Sequence, residues 1–166
     1  MTYSKPTLAF TLPELVISLS IIMLVVVLAT SAISQLVANK QTTNSIARLQ
    51  HSIWQARTLA VKHRQTIVLC PSVIENTCST TTSWEQGWIV TDLNNSKVYW
   101  KERALPKTQK LTWRGFSKHI SFQPDGLASI SNGHFILCRS NNISYQATVN
   151  RQGRLKQISK RSTENC

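Results

Sequence analysis

Three groups of residues in this chain have the types and spacing to do chemistry, and the first is cationic. Arg151, Arg154, Lys156, Lys160 and Arg161 lie close together near the C-terminus around Gly153, and from Arg139 onward only Glu164 opposes them. Glycine lets a backbone reverse without a Cβ clash. A turn here can therefore aim several cations, and nearby N–H groups, at one run of phosphates. Such contacts carry no base information, and about three to five of them give weak binding with a slope of about −3 to −4 in log K against log salt. The plainer alternative is a solvated final turn or a contact with a neighbouring subunit.

The second group is Cys70, Cys78, Cys138 and Cys166. An even count in a domain outside the cytoplasm points to two disulfides, and four cysteines allow three pairings. The preferred pairing is Cys70–Cys78, closing a short loop, with Cys138–Cys166, tying the last residue to a strand. Its rival is a metal site built from Cys70, Cys78, His134 and Cys138, which lacks the C-x2-C spacing of a zinc knuckle. The third group centres on Glu14, at the head of an apolar run that takes in Leu15, Val16, Ile17 and Ile21 through Leu28. A carboxylate entering hydrocarbon is costly unless it is paired. A free amine at Phe10, of the same or a neighbouring chain, would be close enough to pair with it. There is no catalytic constellation: His51, His63, His119 and His134 are scattered, and no acids pair as a general acid and base would. Neither a Gly-rich phosphate loop nor a Gly-x-Ser-x-Gly elbow occurs, so no enzyme activity and no cofactor is implied.

These groups must be held by a chain of 166 residues, enough for one globular domain and an appendage. Residues 15–30 carry no charge, whereas the remainder is polar and basic, with a net charge of +12. A basic surface attracts polyanions, whether nucleic acid, anionic lipid or lipopolysaccharide. No proline occurs between Pro13 and Pro71 and no glycine before Gly87, so nothing breaks a helix from about Leu12 to about Lys62. Ile46, Leu49, Ile53, Ala56 and Ala60 recur at three- and four-residue steps, an amphipathic stripe suited to packing on the chain's own sheet. Lys40, Arg48, Arg57, Lys62 and Arg64 would decorate the other side.

Beyond His63 the pattern changes to short strands separated by turns. Thr66–Cys70, Gly87–Thr91, Lys97–Trp100, Leu111–Arg114, Ile120–Phe122, His134–Cys138 and Ser144–Val149 read as strands. Asn94-Asn95-Ser96, Pro124-Asp125-Gly126, Asn132-Gly133 and Gln152-Gly153 read as turns. Many short strands with closely spaced turns make a mostly antiparallel β head. Trp84, Trp88, Trp100 and Trp113 can stack on unpaired bases. Trp88 and Trp100 sit in strand patterns that suit the core, and Trp84 sits in a loop that leaves its role open. Lys101, Arg103, Lys107, Lys110, Arg114 and Lys118 form a second, more dispersed basic group, which would extend the cationic surface of the tail or, in the preferred reading, is exposed loop charge.

The segment Ala9-Phe10-Thr11-Leu12-Pro13-Glu14-Leu15 resembles the class III leader site of type IV pilins and pseudopilins. The resemblance implies a prepilin peptidase that cuts before Phe10 and methylates its amine, and a role for Glu14 in guiding filament assembly. The residue before the cut is usually Gly in that family and is Ala9 here. Loss of the leader removes Lys5 and takes the net charge from +12 to +11. The competing interpretation is a secretory signal with Lys5 at its positive end, cut near Thr30-Ser31-Ala32 to leave Ile33 first.

The head carries a resemblance of its own. Gln55 through Lys62, Thr66 through Ser72, Trp84-Glu85-Gln86-Gly87-Trp88-Ile89-Val90, Ile120 through Gly126, Gly133 through Cys138 and Asn150 through Lys156 look, in that order, like the FimT/GspH family of minor pilins and pseudopilins. The resemblance implies an α+β fold: a long N-terminal helix, transmembrane then amphipathic, packed on a globular head of two mainly antiparallel β-sheets. It divides the chain into a leader (1–9), a hydrophobic membrane or filament-core helix (10–36), an amphipathic helix continuing into the head (37–64) and a β-rich head with a basic tail (65–166). Other pilins or pseudopilins, the prepilin peptidase and the inner membrane before assembly are the implied partners, with the head in the periplasm and later at the cell surface. GspH-type members serve near the tip of a type II secretion filament. FimT-type members belong to type IV pili, and some bind DNA during natural transformation through a Gly-Arg-x-Arg motif. Here that motif reads Gly153-Arg154-Leu155-Lys156, which keeps the charge but loses one flat bidentate fork. The Trp84–Trp88 block and the tail look more like FimT, which makes DNA an implied partner.

Overall fold

The computed structural model describes residues 11–73, 76–94, 96–129, 132–139, 142–159 and 166. Helix α1 runs over Leu12–His63, with Glu14 in its first turn and Lys62 in its last, charges that suit the two ends of a helix dipole. The chain divides into two compact units, Met1–Gln41 and Thr42–Cys166. In the first, the described apolar side chains from Leu12 to Val37 are all exposed. The Ser18 and Ser20 hydroxyls donate back to the carbonyls of Glu14 and Val16, each at 2.8 Å, and so need no outside partner. Among the described residues no helix is long and apolar enough to cross a membrane. Phe10 and the side chains of 28–32, which complete the apolar segment expected over 10–36, lie outside those described.

The second unit has one main core. Among the described residues nine strands follow α1: β1 (Ile67–Pro71), β2 (Trp88–Asp92), β3 (Val98–Glu102), β4 (Gln109–Gly115), β5 (Ile120–Phe122), β6 (Ala128–Ser129), β7 (Gly133–Arg139), β8 (Asn142–Val149) and β9 (Leu155–Ser159). They form a five-stranded sheet, β3-β2-β1-β5-β6, and a four-stranded sheet, β4-β7-β8-β9. Every pairing described is antiparallel. The α+β architecture with two antiparallel sheets is therefore as the sequence implies. The short β6 was not legible as a strand, because two residues are too few to show alternation.

The amphipathic stripe of α1 faces inward: Ile46, Leu49, Ile53, Ala56 and Ala60 are all buried. They share a core with Ile67, Leu69, Trp88 and Val90 of the five-stranded sheet and with Leu111, Trp113, Phe135, Leu137 and Val149 of the four-stranded sheet. Trp84, left open as a loop aromatic, is fully buried, its ring 5.0 Å from Phe135 in an edge-on contact. Trp100, read as core, is instead 38% exposed on edge strand β3, where its Nε1–H donates to Glu102 at 3.1 Å. Alternation explains the difference: its neighbour Tyr99 points inward and packs on the core. Arg48 is also more structural than a decorating charge, since it pairs with Glu102 at 2.7 Å, donates to the Arg103 carbonyl and lies 5.7 Å from the Trp88 ring centroid.

Each sheet has a small apolar patch on its outer face, and a disulfide lies in each. Cys70 joins Cys78 beside Val68 and Ile89, and Cys138 joins Cys166 beside Ile136 and Ile143. With all four thiols in disulfides, the alternative metal site has no thiolate to offer.

Buried polar contacts tie helix to sheet: Ser45 Oγ donates to Gln109 Oε1 of β4 at 2.6 Å, and a second reaches β2. Trp88 Nε1–H donates to Ser52 Oγ at 2.8 Å, and both residues are fully buried. Ser52→Ala should leave that indole N–H without an acceptor and cost about 1–3 kcal/mol in urea unfolding followed by tryptophan fluorescence. Wild-type stability in that variant would remove Ser52 from the account.

Candidate nucleic-acid interface

Strands β8 and β9 form the hairpin that carries the basic tail. Val149 pairs with Leu155 and Thr148 with Lys156. Between them, the Gly153 N–H donates to the Asn150 carbonyl at 2.8 Å, and the Asn150 N–H to the Arg154 carbonyl at 3.1 Å. The Asn150 side-chain oxygen accepts from the Arg154 N–H at 2.8 Å. Gly153 takes φ +70°, a left-handed value that favours glycine, and it is buried against Phe122 of β5. The turn is also fastened to the other sheet, because the Ala128 N–H of β6 donates to the Arg151 carbonyl at 2.9 Å.

Arg151, Arg154 and Lys156 project from this turn and are exposed. None has an acidic partner within ion-pair distance among the described residues. Arg151 lines a cleft of about 350 Å³ with Gln123, Asp125, Ala128 and Asn132. Asp125 does not pair with Arg151; its carboxylate accepts the Leu127 N–H at 2.8 Å and shapes the β5–β6 turn. Lys160 and Arg161 lie outside the described residues, as do Ala9 and Phe10. Glu14 is exposed in the first turn of α1.

The register adds a neighbour that the sequence did not reveal. Lys156 pairs with Thr148, Thr148 with His134, and His134 with Arg114. Paired residues share a face of a sheet. Arg114, read as loop charge, thus stands on strand β4 in the same row as Lys156, while Lys110, whose own partner is Cys138, stands four residues earlier on the same face of that strand. The alternation Lys110-Leu111-Thr112-Trp113-Arg114 is the signal that could have placed both cations on the outer face. Lys101 is likewise on β3, while Arg103, Lys107 and Lys118 are in connections. Among the described residues no group of three His, Cys, Asp or Glu could hold a metal ion.

Residues 45–153 match the family described as Type II transport protein GspH. The chain belongs to this family. No curated protein matches the sequence at a significant level. Among solved structures, the fold is similar to the type IV minor pilin FimU of Pseudomonas aeruginosa in two crystal forms. The first has TM-score 0.59 and 16% identity over 72% of this chain and 91% of that one. The second has TM-score 0.57 and 16% identity, covering 72% of this chain and 96% of that one. A minor pseudopilin of the Vibrio cholerae Type 2 Secretion System, EpsH, aligns with TM-score 0.48 and 10% identity over 70% of this chain and 95% of that one. The GspH match ends at Gly153, so Arg154 and Lys156 lie just past the matched segment.

Gly153 is the most demanding position in the turn. A Cβ there would stand 2.5 Å from Phe122 Cε1, at a φ that side-chain-bearing residues rarely adopt. Gly153→Ala should cost at least about 1–3 kcal/mol by chemical denaturation, and the Ala128 and Val149 amides should lose hydrogen-exchange protection first. Uniform loss of protection across both sheets would contradict a local role.

Proposed function

We propose that the chain is a minor pilin- or pseudopilin-type subunit that joins a filament through its apolar N-terminal helix and binds DNA, without regard to sequence, through the β8–β9 turn. This is the FimT-like role, in which a pilus engages extracellular DNA during natural transformation. The observation that carries it is the turn itself. Three exposed cations, Arg151, Arg154 and Lys156, stand on a backbone fixed by the Gly153 turn and the Arg151–Ala128 bond and have no acid paired with them among the described residues. Lys160 and Arg161 extend the same charge along the sequence. Phosphate contacts by such groups read backbone, not bases, which suits uptake of any sequence. Family membership and the minor-pilin fold support the filament part of the reading. The exposed apolar side chains of Leu12–Val37 support it too, because a surface of that kind requires hydrocarbon or neighbouring helices.

The family description, Type II transport protein GspH, favours a second reading. In it the subunit is purely structural in a type II secretion filament, and its cations touch neighbouring subunits. The two readings diverge in a DNA-binding measurement. The full chain in a nonionic detergent should bind duplex DNA with a log–log salt slope of about −3, and Arg154→Gln with Lys156→Gln should bring that slope to about −1. Circular dichroism should stay as in wild type. Absence of binding at low salt would leave the structural reading standing alone.

Processing is separately testable. Edman or mass-spectrometric sequencing of the membrane-associated protein should give Phe10 as the first residue, with a methylated amine. Finding Ile33 there would mean that a signal peptidase had removed the apolar helix, and filament assembly through it would be excluded.

A further inference from the structure

Phe116 is 87% exposed in the β4–β5 connection, an unusual position for a phenyl ring with no role in the core. It is held in place on both sides. Its N–H donates to the Asn132 carbonyl at 3.4 Å, and the next residue, Ser117, accepts Trp113 Nε1–H at 2.6 Å. With Arg114, Gly133 and His134 the ring borders a shallow cleft of about 590 Å³. Asn132 lines this cleft and also the one that contains Arg151. The two clefts therefore adjoin at one end of the four-stranded sheet. The row Arg114–His134–Thr148–Lys156 crosses that sheet over three strand spacings, about 14 Å.

We propose that this end of the sheet is a track for single-stranded DNA, with phosphates along Arg151, Arg154, Lys156 and Arg114 and an unpaired base stacked on Phe116. The proposal rests on the DNA-binding reading and narrows it to a substrate class. Four cations supply the sequence-independent attraction. A phenyl face beside them supplies what only an unpaired base can use, since bases in a duplex are already stacked on one another. Because the loop is fastened at Asn132 and Trp113, little backbone freedom is lost when a base lands on the ring, and only its own two side-chain torsions have to be ordered. Asp125 also lines the Arg151 cleft and weakens its pull on phosphate, which leaves the exposed Arg154 and Lys156 as the stronger backbone contacts.

Fluorescence anisotropy with the full chain in nonionic detergent tests this, using labelled oligothymidylate, an abasic strand of equal length and charge, and a duplex. Wild type should bind oligothymidylate roughly ten-fold more tightly than the abasic strand, and in Phe116→Ala that ratio should fall to about one. Phe116→Trp should restore the ratio or raise it. Equal binding of base-bearing and abasic strands by wild type, or a ratio that survives Phe116→Ala, overturns the stacking track while leaving DNA binding intact. Failure to bind any of the three probes overturns both. If Phe116→Ala instead weakens self-association in sedimentation while the ratio holds, the ring is a contact between subunits and the proposal falls.

Discussion

Two sheets can close on one helix only if the helix offers a narrow, mainly apolar face whose buried polar atoms are hydrogen-bonded. Here that face is Ile46, Leu49, Ile53, Ala56 and Ala60. The branched residues come first and the alanines last, so the helix presents less bulk toward its C-terminal end. The two sheets need not be displaced there by large side chains. The central strand β1 contributes Ile67 and Leu69 to this interior, flanked by Trp88 and Val90 of β2 and by Ile120 and Phe122 of β5. From the other side come Trp113, Phe135 and Leu137. A polar or bulky residue at Ala56 would therefore disturb both sheets at once, and with them every loop that the sheets hold in place.

The basic turn inherits its geometry from this interior. Phe122 belongs to the common core and also supplies the surface on which Gly153 lies. The Arg151 carbonyl completes a hydrogen bond from β6, so the hairpin of one sheet is tied to the edge of the other. Three charged side chains on so fixed a backbone lose only their own rotamer freedom when they meet a phosphate. That suits a site made of weak contacts, where no single pair supplies much free energy and preorganisation decides whether the sum is useful.

Much of the architecture was legible because it follows short-range periodicity. The three- and four-residue steps from Ile46 to Ala60 gave the buried face. The Asn94-Asn95-Ser96 signal gave the β2–β3 hairpin, and Gln152-Gly153 gave the turn after β8 but not strand β9 beyond it. What escaped depends on long-range register. Nothing within Leu111–Arg114 alone shows that Arg114 stands in one row with His134 and Lys156, since that row is set by three separate strand pairings. Nothing near Trp84 shows that its loop folds inward onto Phe135, because its backbone partner is Leu111, far along the chain. Trp100 reversed its expected side for the same reason: alternation fixes that Tyr99 and Trp100 oppose each other, and only the packed sheet decides which faces inward.

The acids explain why the charge at this end of the molecule is uncompensated. The sequence has seven Asp and Glu against nineteen Lys and Arg. Several of the described acids are engaged in structure. Hydrogen bonds from the Ser96 hydroxyl, and then from the Lys97 and Ser96 N–H groups, hold the Asp92 carboxyl below its ordinary range and close the β2–β3 turn. Glu102 is taken by Arg48 and Trp100, and Asp125 caps its own turn. Arg114, Arg151, Arg154 and Lys156 are thus left without an ion-paired acid among the described residues. Clustered like charges oppose the compact state by mutual repulsion. A surface that meets a polyanion recovers that cost on binding, as does one whose cations meet acids of a neighbouring subunit.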